Sequence, residues 1–370
     1  MTALFSPFAL RGLTLRNRIA VSPMCQYSAE NGRAQGWHVI HLGTLALSGA
    51  AILFLEATAV EADGRISPAD LGLWDDATES ALQKVLAEVR KHSHIAIGIQ
   101  LAHAGRKSST RVPWEGGGQI PVAEGGWKTD SASAIPQNAG EQAPRALDRA
   151  GMDRVRNAFV MSAQRAVRLG IDAIELHAAH GYLLHQFLSP ISNHRTDTYG
   201  GPLENRMRFP LELFDAVRAA VPSETPVGVR VSATDWVEGG WDLEQTLVFA
   251  GELKKRGVDW IDVSSGGVSP LQKIALGPGY QVPFARAIKA ATGVHTIAVG
   301  LINDAQQAEE IVGSGSADVV ALARAMLYDP RWPWHAAAEL GATVEAPPQY
   351  WRSQPRGQKA LFGNAAGGIR

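Results

Sequence analysis

Two imidazoles three residues apart, His177 and His180, stand just ahead of a phenol, Tyr182. Such a pair can bind a metal ion, donate two hydrogen bonds to one developing oxyanion, or serve as satisfied structural groups. A metal site normally needs a third ligand, and no carboxylate stands out as one. Hydrogen-bond donation is the stronger reading, because the tyrosine adds a general acid. A lone histidine would default to structure; a pair followed by tyrosine is harder to dismiss. Other polar residues recur at comparable places along the chain: Cys25 and Tyr27, Gln100 and His103, Arg230, Gly300 and Arg324. Cys25 has no base in its segment, as a nucleophile would require, and a free cysteine is often just a small buried hydrophobe. Gly300 permits close backbone approach, and the Arg324 guanidinium suits an oxyanion bidentately. The blander alternative for Arg324 is a bridge to Asp329.

These residues need elements to bring them together. Short β-branched runs predict strands at Ile19–Ser22, Ala51–Glu56, Ile95–Leu101, Ala173–His177, Val227–Val231, Trp260–Ser264, His295–Val299 and Asp318–Leu322. Helical spacing is clearest over Ala81–Arg90, Val155–Leu169, Leu211–Val221, Leu243–Lys255 and Ala305–Val312. Strand alternating with helix means a parallel sheet. Eight strands without a composition break predict a closed (βα)8 TIM barrel in one domain over residues 1–370, the barrel itself over about 16–340. A doubly wound sheet would need a glycine-rich turn after the first strand, where Ser22-Pro23-Met24-Cys25-Gln26-Tyr27 stands instead. Phe5–Leu15 reads as a hairpin closing the barrel floor. The Gly-, Pro- and Ser-rich stretch from Ala104 to about Ala150 is a long loop after strand 3, of the kind that often forms a lid. Residues 341–370 form a C-terminal tail whose aromatic residues and arginines suit an interface.

In this fold the active site lies at the C-terminal ends of the strands, and the last two loops frequently hold phosphate. Period-2 alternation in strand 4 puts Glu175 and His177 on the inner face, with Ile174 and Leu176 toward the helices. His177 then points into the barrel mouth, and His180 and Tyr182 follow on the emerging loop.

Bulk properties narrow the function classes. Of 370 residues, 45% are hydrophobic and 19% charged, a globular balance. A formal net charge of −1 argues against nucleic-acid or anionic-membrane partners. Cys25 is the only cysteine, which excludes intrachain disulfides, iron–sulfur clusters and zinc-thiolate sites. The N-terminus lacks a signal-peptide pattern, and the most apolar stretch, Gly49 to Val60, carries Glu56. A cytoplasmic enzyme is expected.

Four segments carry a resemblance: Ser22 to Tyr27, Gln100-Leu101-Ala102-His103-Ala104-Gly105-Arg106-Lys107, Ile174 to Tyr182, and Ser192-Asn193-His194-Arg195-Thr196-Asp197-Thr198-Tyr199-Gly200-Gly201. Together they closely resemble the old yellow enzyme family, and the cysteine after Pro-Met resembles its thermophilic-like ene-reductases. The similarity runs from about Leu4 to Arg356.

The resemblance implies non-covalent FMN, NADPH (or NADH) as reductant, and an activated alkene (enal, enone or nitro compound) as substrate. Carried over by residue, Ser22, Pro23, Met24 and Cys25 would line the flavin ring. Ala57 and Gln100 would meet its polar edge, and Arg230 its N1 and C2 carbonyl. Gly300, Ala323 and Arg324 would hold the phosphate, with alanine at a position where relatives often have glycine. His177 and His180 would bind the substrate carbonyl as hydride passes from N5, and Tyr182 would protonate from the opposite face. Cys25 would tune the redox potential, Tyr27 would border the substrate, and Lys107 would meet flavin or nicotinamide or else be solvated. Arg352, in Gln349-Tyr350-Trp351-Arg352, would reach a neighbouring subunit's site, implying a homo-oligomer. The dienoyl-CoA reductase branch, which needs cluster cysteines, is excluded. A metal-dependent barrel hydrolase or lyase using His177 and His180 remains the rival from another class, beside a barrel that binds flavin without turnover.

Overall fold

A computed structural model describes residues 2–358 and 360–363. The chain opens with an antiparallel hairpin, β1 (Phe8–Leu10) and β2 (Leu13–Leu15), and enters the barrel with β3 (Ile19–Val21), β4 (Ile52–Ala59) and β5 (Ala96–Ala102). Two-residue strands β6 (Asp130–Ser131) and β7 (Arg145–Ala146) interrupt the long loop. The barrel resumes with β8 (Ala173–Ala178), β9 (Val227–Ser232), β10 (Trp260–Ser264), β11 (His295–Ala298) and β12 (Val319–Leu322). Every barrel pairing is parallel, and β12 pairs with β3 to close the ring. All eight expected strands are present, with ends shifted by at most three residues.

Ten helices among the described residues connect or follow the strands: α1 (Gly36–Ala46), α2 (Asp76–Arg90), α3 (Arg149–Arg168), α4 (Leu183–Leu188), α5 (Leu203–Ala220), α6 (Leu243–Lys255), α7 (Val282–Thr292), α8 (Ala305–Gly313), α9 (Arg324–Tyr328) and α10 (Trp332–Leu340). Aspartates cap four of them: Asp75, Asp148, Asp242 and Asp304 each accept a backbone N–H of the first turn. Each such cap is worth typically about 1 kcal/mol. No described helix is long and apolar enough to cross a membrane.

Helix α5 departs from expectation. Its spacing predicts a start at Leu211, after Pro210, yet the helix begins at Leu203 and carries Pro210 inside. Proline removes one ladder bond and crowds the preceding turn. The early turns hold because Met207 and Phe209 are buried and the Arg206 guanidinium donates to Leu188 O and Gln245 Oε1. Tertiary packing overrides the local breaker. Helices α1 and α7 were hidden for the opposite reason: α1 exposes Trp37 and Ile40 beside its buried stripe, and α7 buries only Ala285 and Ile288.

Two apolar layers position the site. Ile174 and Leu176 join the layer between barrel and helices, with Phe159 and Phe214. Inside the barrel floor, Leu10 and Leu15 of the hairpin pack with Ile52, Phe54 and Trp260. The hairpin does close the floor. Gly228 must be glycine here, since a Cβ would lie 2.0 Å from the Trp260 indole. Above this floor the inward side chains turn polar, beginning with Gln100, Glu175 and Asp262.

The long loop is anchored rather than free. Arg195 donates to Ala132 O and Leu147 O, and Asp130 takes both Arg145 and Arg154. The tail returns to the barrel: Val344 N–H bonds Leu361 O, and Phe362 stacks edge-on to Trp334.

Candidate active site

Strand β8 delivers the histidine pair as its alternation requires. His177 is buried, with its ring 4.7 Å from that of Tyr182 and 5.0 Å from that of His180. His177 Nε2 and His180 Nδ1 face each other at 3.3 Å. Ala179 N–H donates to His177 Nδ1 at 3.2 Å, and His180 Nε2 lies 2.7 Å from Ser264 Oγ. Burial, then the Arg230 charge, holds both imidazoles well below the usual histidine range, so both are neutral at pH 7. Two neutral rings with convergent nitrogens suit an incoming oxygen. The pair belongs to no three-ligand cluster among the described residues. The one such trio, Glu61, His103 and Asp130, lies elsewhere, and the Arg154 guanidinium bridges its two carboxylates at 2.6 and 2.7 Å.

The turn after β8 is tightly specified. His180 has φ +58° and Gly181 φ +74°, and a Cβ on Gly181 would lie 2.2 Å from Gly267 O. Glycine is required there, and the left-handed histidine is the kind of local strain that clusters at active sites. Lys107 holds the turn: its Nζ donates to His180 O at 2.7 Å and Gly267 O at 3.1 Å. Burial, then Arg106, lowers its pKa to about 8. Two of the three Lys107 N–H donors are thus used on the scaffold, and the half-buried ammonium also lines the cavity that reaches Tyr27. Its ammonium also lies 5.2 Å from the Tyr182 ring centre. The Tyr182 phenol makes no hydrogen bond among the described residues, and burial, then Cys25, pushes its pKa well above 10. It stays protonated.

Cys25 and Tyr27 line the mouth from the β3 loop. Burial, then the charges of Asp70 and Glu56, raise the Cys25 thiol well above its ordinary value, which disfavours a nucleophilic thiolate. Ala57 N–H and the Tyr27 hydroxyl are its hydrogen-bonding neighbours. Glu56 is the extra residue where the β4–β5 register slips, and its Oε2 accepts the Gln26 N–H at 2.8 Å. Tyr27, with φ +49°, meets Trp114 of the long loop edge-on at 5.7 Å. A cavity of about 190 Å³ runs from Tyr27 beneath that loop.

A buried charged layer lies under this mouth. Arg230 stands across the register from His177 on one side and Asp262 on the other. Its Nε is 3.3 Å from Asp262 Oδ2 without a hydrogen bond, and its NH1 donates to Ser22 Oγ at 3.2 Å. Glu175 accepts from Gln100 Nε2 at 2.8 Å and Trp260 Nε1 at 3.2 Å. Ala57 is the register partner of Gln100, so both expected edge-contact residues are adjacent. Farther round, Gly300 has φ +120°, and Arg324 opens α9 directly after Ala323. Arg324 is exposed and does not bridge to Asp329, whose carboxylate bonds His335 Nδ1 at 2.6 Å.

Some expected residues lie outside the mouth. His103 bonds Glu61 Oε1 at 2.9 Å and ties loops together. The Ser192 to Gly201 segment spends its polar groups on scaffolding, with Arg195 on Asp197 and Asn193 on the Phe187 and Tyr199 carbonyls. Arg352 is exposed in a short 3₁₀ segment of the tail and makes no hydrogen bond or ion pair among the described residues. Conversely, Glu56, Asp262, Ser264 and Gln281 touch the site and were not anticipated. The only signal for Ser264 was its place at the end of the sixth barrel strand.

A closed parallel barrel with polar side chains gathered at the C-terminal strand ends defines a barrel enzyme. Residues 3–342 match the NADH:flavin oxidoreductase / NADH oxidase family. An NADPH dehydrogenase of Geobacillus sp. is 46% identical over 353 residues, spanning 95% of this chain and 98% of that protein. An NADH:flavin oxidoreductase of Gibberella zeae is 44% identical over 376 residues, spanning 96% and 91%. Among solved structures, morphinone reductase superposes with a TM-score of 0.77 at 29% identity, covering 94% of this chain and 91% of its own. The chain belongs to the NADH:flavin oxidoreductase / NADH oxidase family. It is an FMN-dependent NADH/NADPH oxidoreductase of the old yellow enzyme type.

Proposed function

We propose that this enzyme reduces the activated C=C bond of α,β-unsaturated carbonyl and nitro compounds at the expense of NADPH or NADH. The observation carrying this reading is the convergence of His177 Nε2 and His180 Nδ1, 3.3 Å apart, beside a phenol with no hydrogen-bond partner among the described residues. The residues present fit FMN: Arg230 offers a buried donor, Nε, with no hydrogen-bond acceptor among the described residues, and Arg324 offers an exposed guanidinium directly after Ala323. Ser22, Pro23, Met24, Cys25, Ala57, Gln100 and Arg230 would hold the ring, and Gly300, Ala323 and Arg324 the phosphate. When bound, FMN would supply the hydride chemistry that links the nicotinamide to the activated alkene. The histidine pair holds the substrate oxygen and stabilises the charge that develops there, each donor worth typically about 2.7–4 kcal/mol. Tyr182 gives its proton to the α-carbon, which completes net addition of H₂. Cys25, kept as a thiol, and Tyr27 border the substrate.

The purified protein should be yellow, bleach on anaerobic addition of NADPH, and regain colour with cyclohexenone. Bleaching without recovery would leave an NAD(P)H oxidase only. We also propose a cytoplasmic homo-oligomer. Trp37 and Ile40 on α1 and Tyr328 on α9 are exposed, Tyr328 to 94%, and Arg352 is exposed with no hydrogen bond or ion pair among the described residues. Light scattering should find at least a dimer, and Tyr328→Glu should shift it toward monomer; a monomeric parent would refute this.

A further inference from the structure

The histidine pair sets a proton-counting constraint. Each ring is neutral and so carries one N–H. His177 Nδ1 accepts from the Ala179 backbone N–H, which fixes the His177 proton on Nε2. That N–H points at His180 Nδ1, 3.3 Å away. With nothing between them, His177 donates to His180 Nδ1, and the His180 proton lies on Nε2, facing Ser264 Oγ at 2.7 Å. For both rings to donate to one substrate oxygen, His180 must carry its proton on Nδ1. Its Nε2 then becomes an acceptor and needs a donor.

Ser264 is the group that can serve in both states, because a hydroxyl accepts or donates by turning. It is buried at the end of β10, with Gln281 Oε1 at 3.3 Å as a second place for its proton. Gln281 is itself fixed, donating to Val299 O at 3.0 Å and accepting from Ser265 Oγ at 2.6 Å. A carboxylate at position 264 would lock the His180 proton on Nε2, and an ammonium would lock it on Nδ1. Only a reversible donor-acceptor allows the exchange.

We propose that Ser264 is a positioning residue that switches the His180 tautomer, so that the pair presents two N–H donors when a substrate oxygen enters. One proton leaves Nε2 and one is taken up at Nδ1, exchanged with solvent water at the open mouth, so the total is unchanged. The Ser264 O–H turns from Gln281 Oε1 to His180 Nε2. This rests on the reading of the pair as the substrate-oxygen site.

The test uses FMN-loaded enzyme with phenol as the probe, titrated through the flavin absorption band, and ¹⁵N-histidine spectra of the same samples. In the parent, His180 should be Nε2-protonated when free and Nδ1-protonated with phenol bound. Ser264→Ala should weaken phenol about tenfold, roughly one hydrogen bond, with an incomplete swap, and Ser264→Thr should restore both. An unchanged His180 tautomer in the parent, or parent-like phenol affinity in Ser264→Ala, overturns the proposal. His177→Ala separates the two levels. If it loses phenol while Ser264→Ala does not, only the tautomer switch fails. If neither loses phenol, the oxygen-site reading falls and the switch with it.

Discussion

Tyr182→Phe should slow alkene reduction by about 10²–10⁴-fold, the usual contribution of a positioned general acid, while reduction of the bound flavin by NADPH stays near the parent rate. The two half-reactions separate in a stopped-flow spectrometer, one followed as bleaching and the other as recovery of colour. The contrast is expected because the variant removes only the hydroxyl. The ring keeps its packing against His177 at 4.7 Å and under the Lys107 ammonium at 5.2 Å. The lost oxygen made no hydrogen bond among the described residues, so folding should be little affected. Burial holds the phenol well above 10, so the parent's alkene step should not fall through loss of this proton anywhere near neutral pH. Equal slowing of both half-reactions would show that Tyr182 positions ligands in general and is not the specific proton donor.

What was legible in the sequence was what local rules decide. Alternation placed Glu175 and His177 inward and Ile174 and Leu176 outward, because strand period is a backbone property. Strand-end position then located Arg230, Gly300 and Arg324. Other features depend on contacts distant in sequence. Pro210 sits mid-helix because Arg206 reaches the Leu188 carbonyl and Gln245, residues outside the local window. The scaffold bonds of Lys107 were not legible because its partners, His180 O and Gly267 O, lie 73 and 160 residues away. Ser264 was silent for a related reason. Serine at a strand end is common, and only its 2.7 Å contact with an imidazole makes it informative. The Ser192 to Gly201 motif marked the family well and the site poorly, since its polar groups build the loop that braces α4 and α5.

Arg230→Met should cost about 3–5 kcal/mol of stability at neutral pH, the range for removing one partner of a buried ion pair. Glu175 and Asp262 are both buried, and Arg230 is the cation that opposes their charge. Burial, then the Asp262 charge, raises Glu175 to about 8, and burial raises Asp262 as well. The layer therefore holds a proton at pH 7 that the unfolded chain, with Glu near 4.5, releases. A raised carboxyl contributes stability that is fully present below its unfolded pKa and is lost as pH rises through its folded value. The parent's Glu175 contribution should thus decline between pH 4.5 and about 8. Without Arg230 both carboxyls move higher still. The variant's deficit should be smallest at the acid end of the range, where the two carboxyls are most protonated, and should grow toward pH 9. Urea unfolding of the apoprotein across that range measures it, free of any effect on flavin binding. Adding Glu175→Gln to Arg230→Met should recover part of the loss and flatten its pH dependence. A deficit equal at pH 5 and pH 9 would mean that Arg230 stabilises the barrel by filling space and not through its charge.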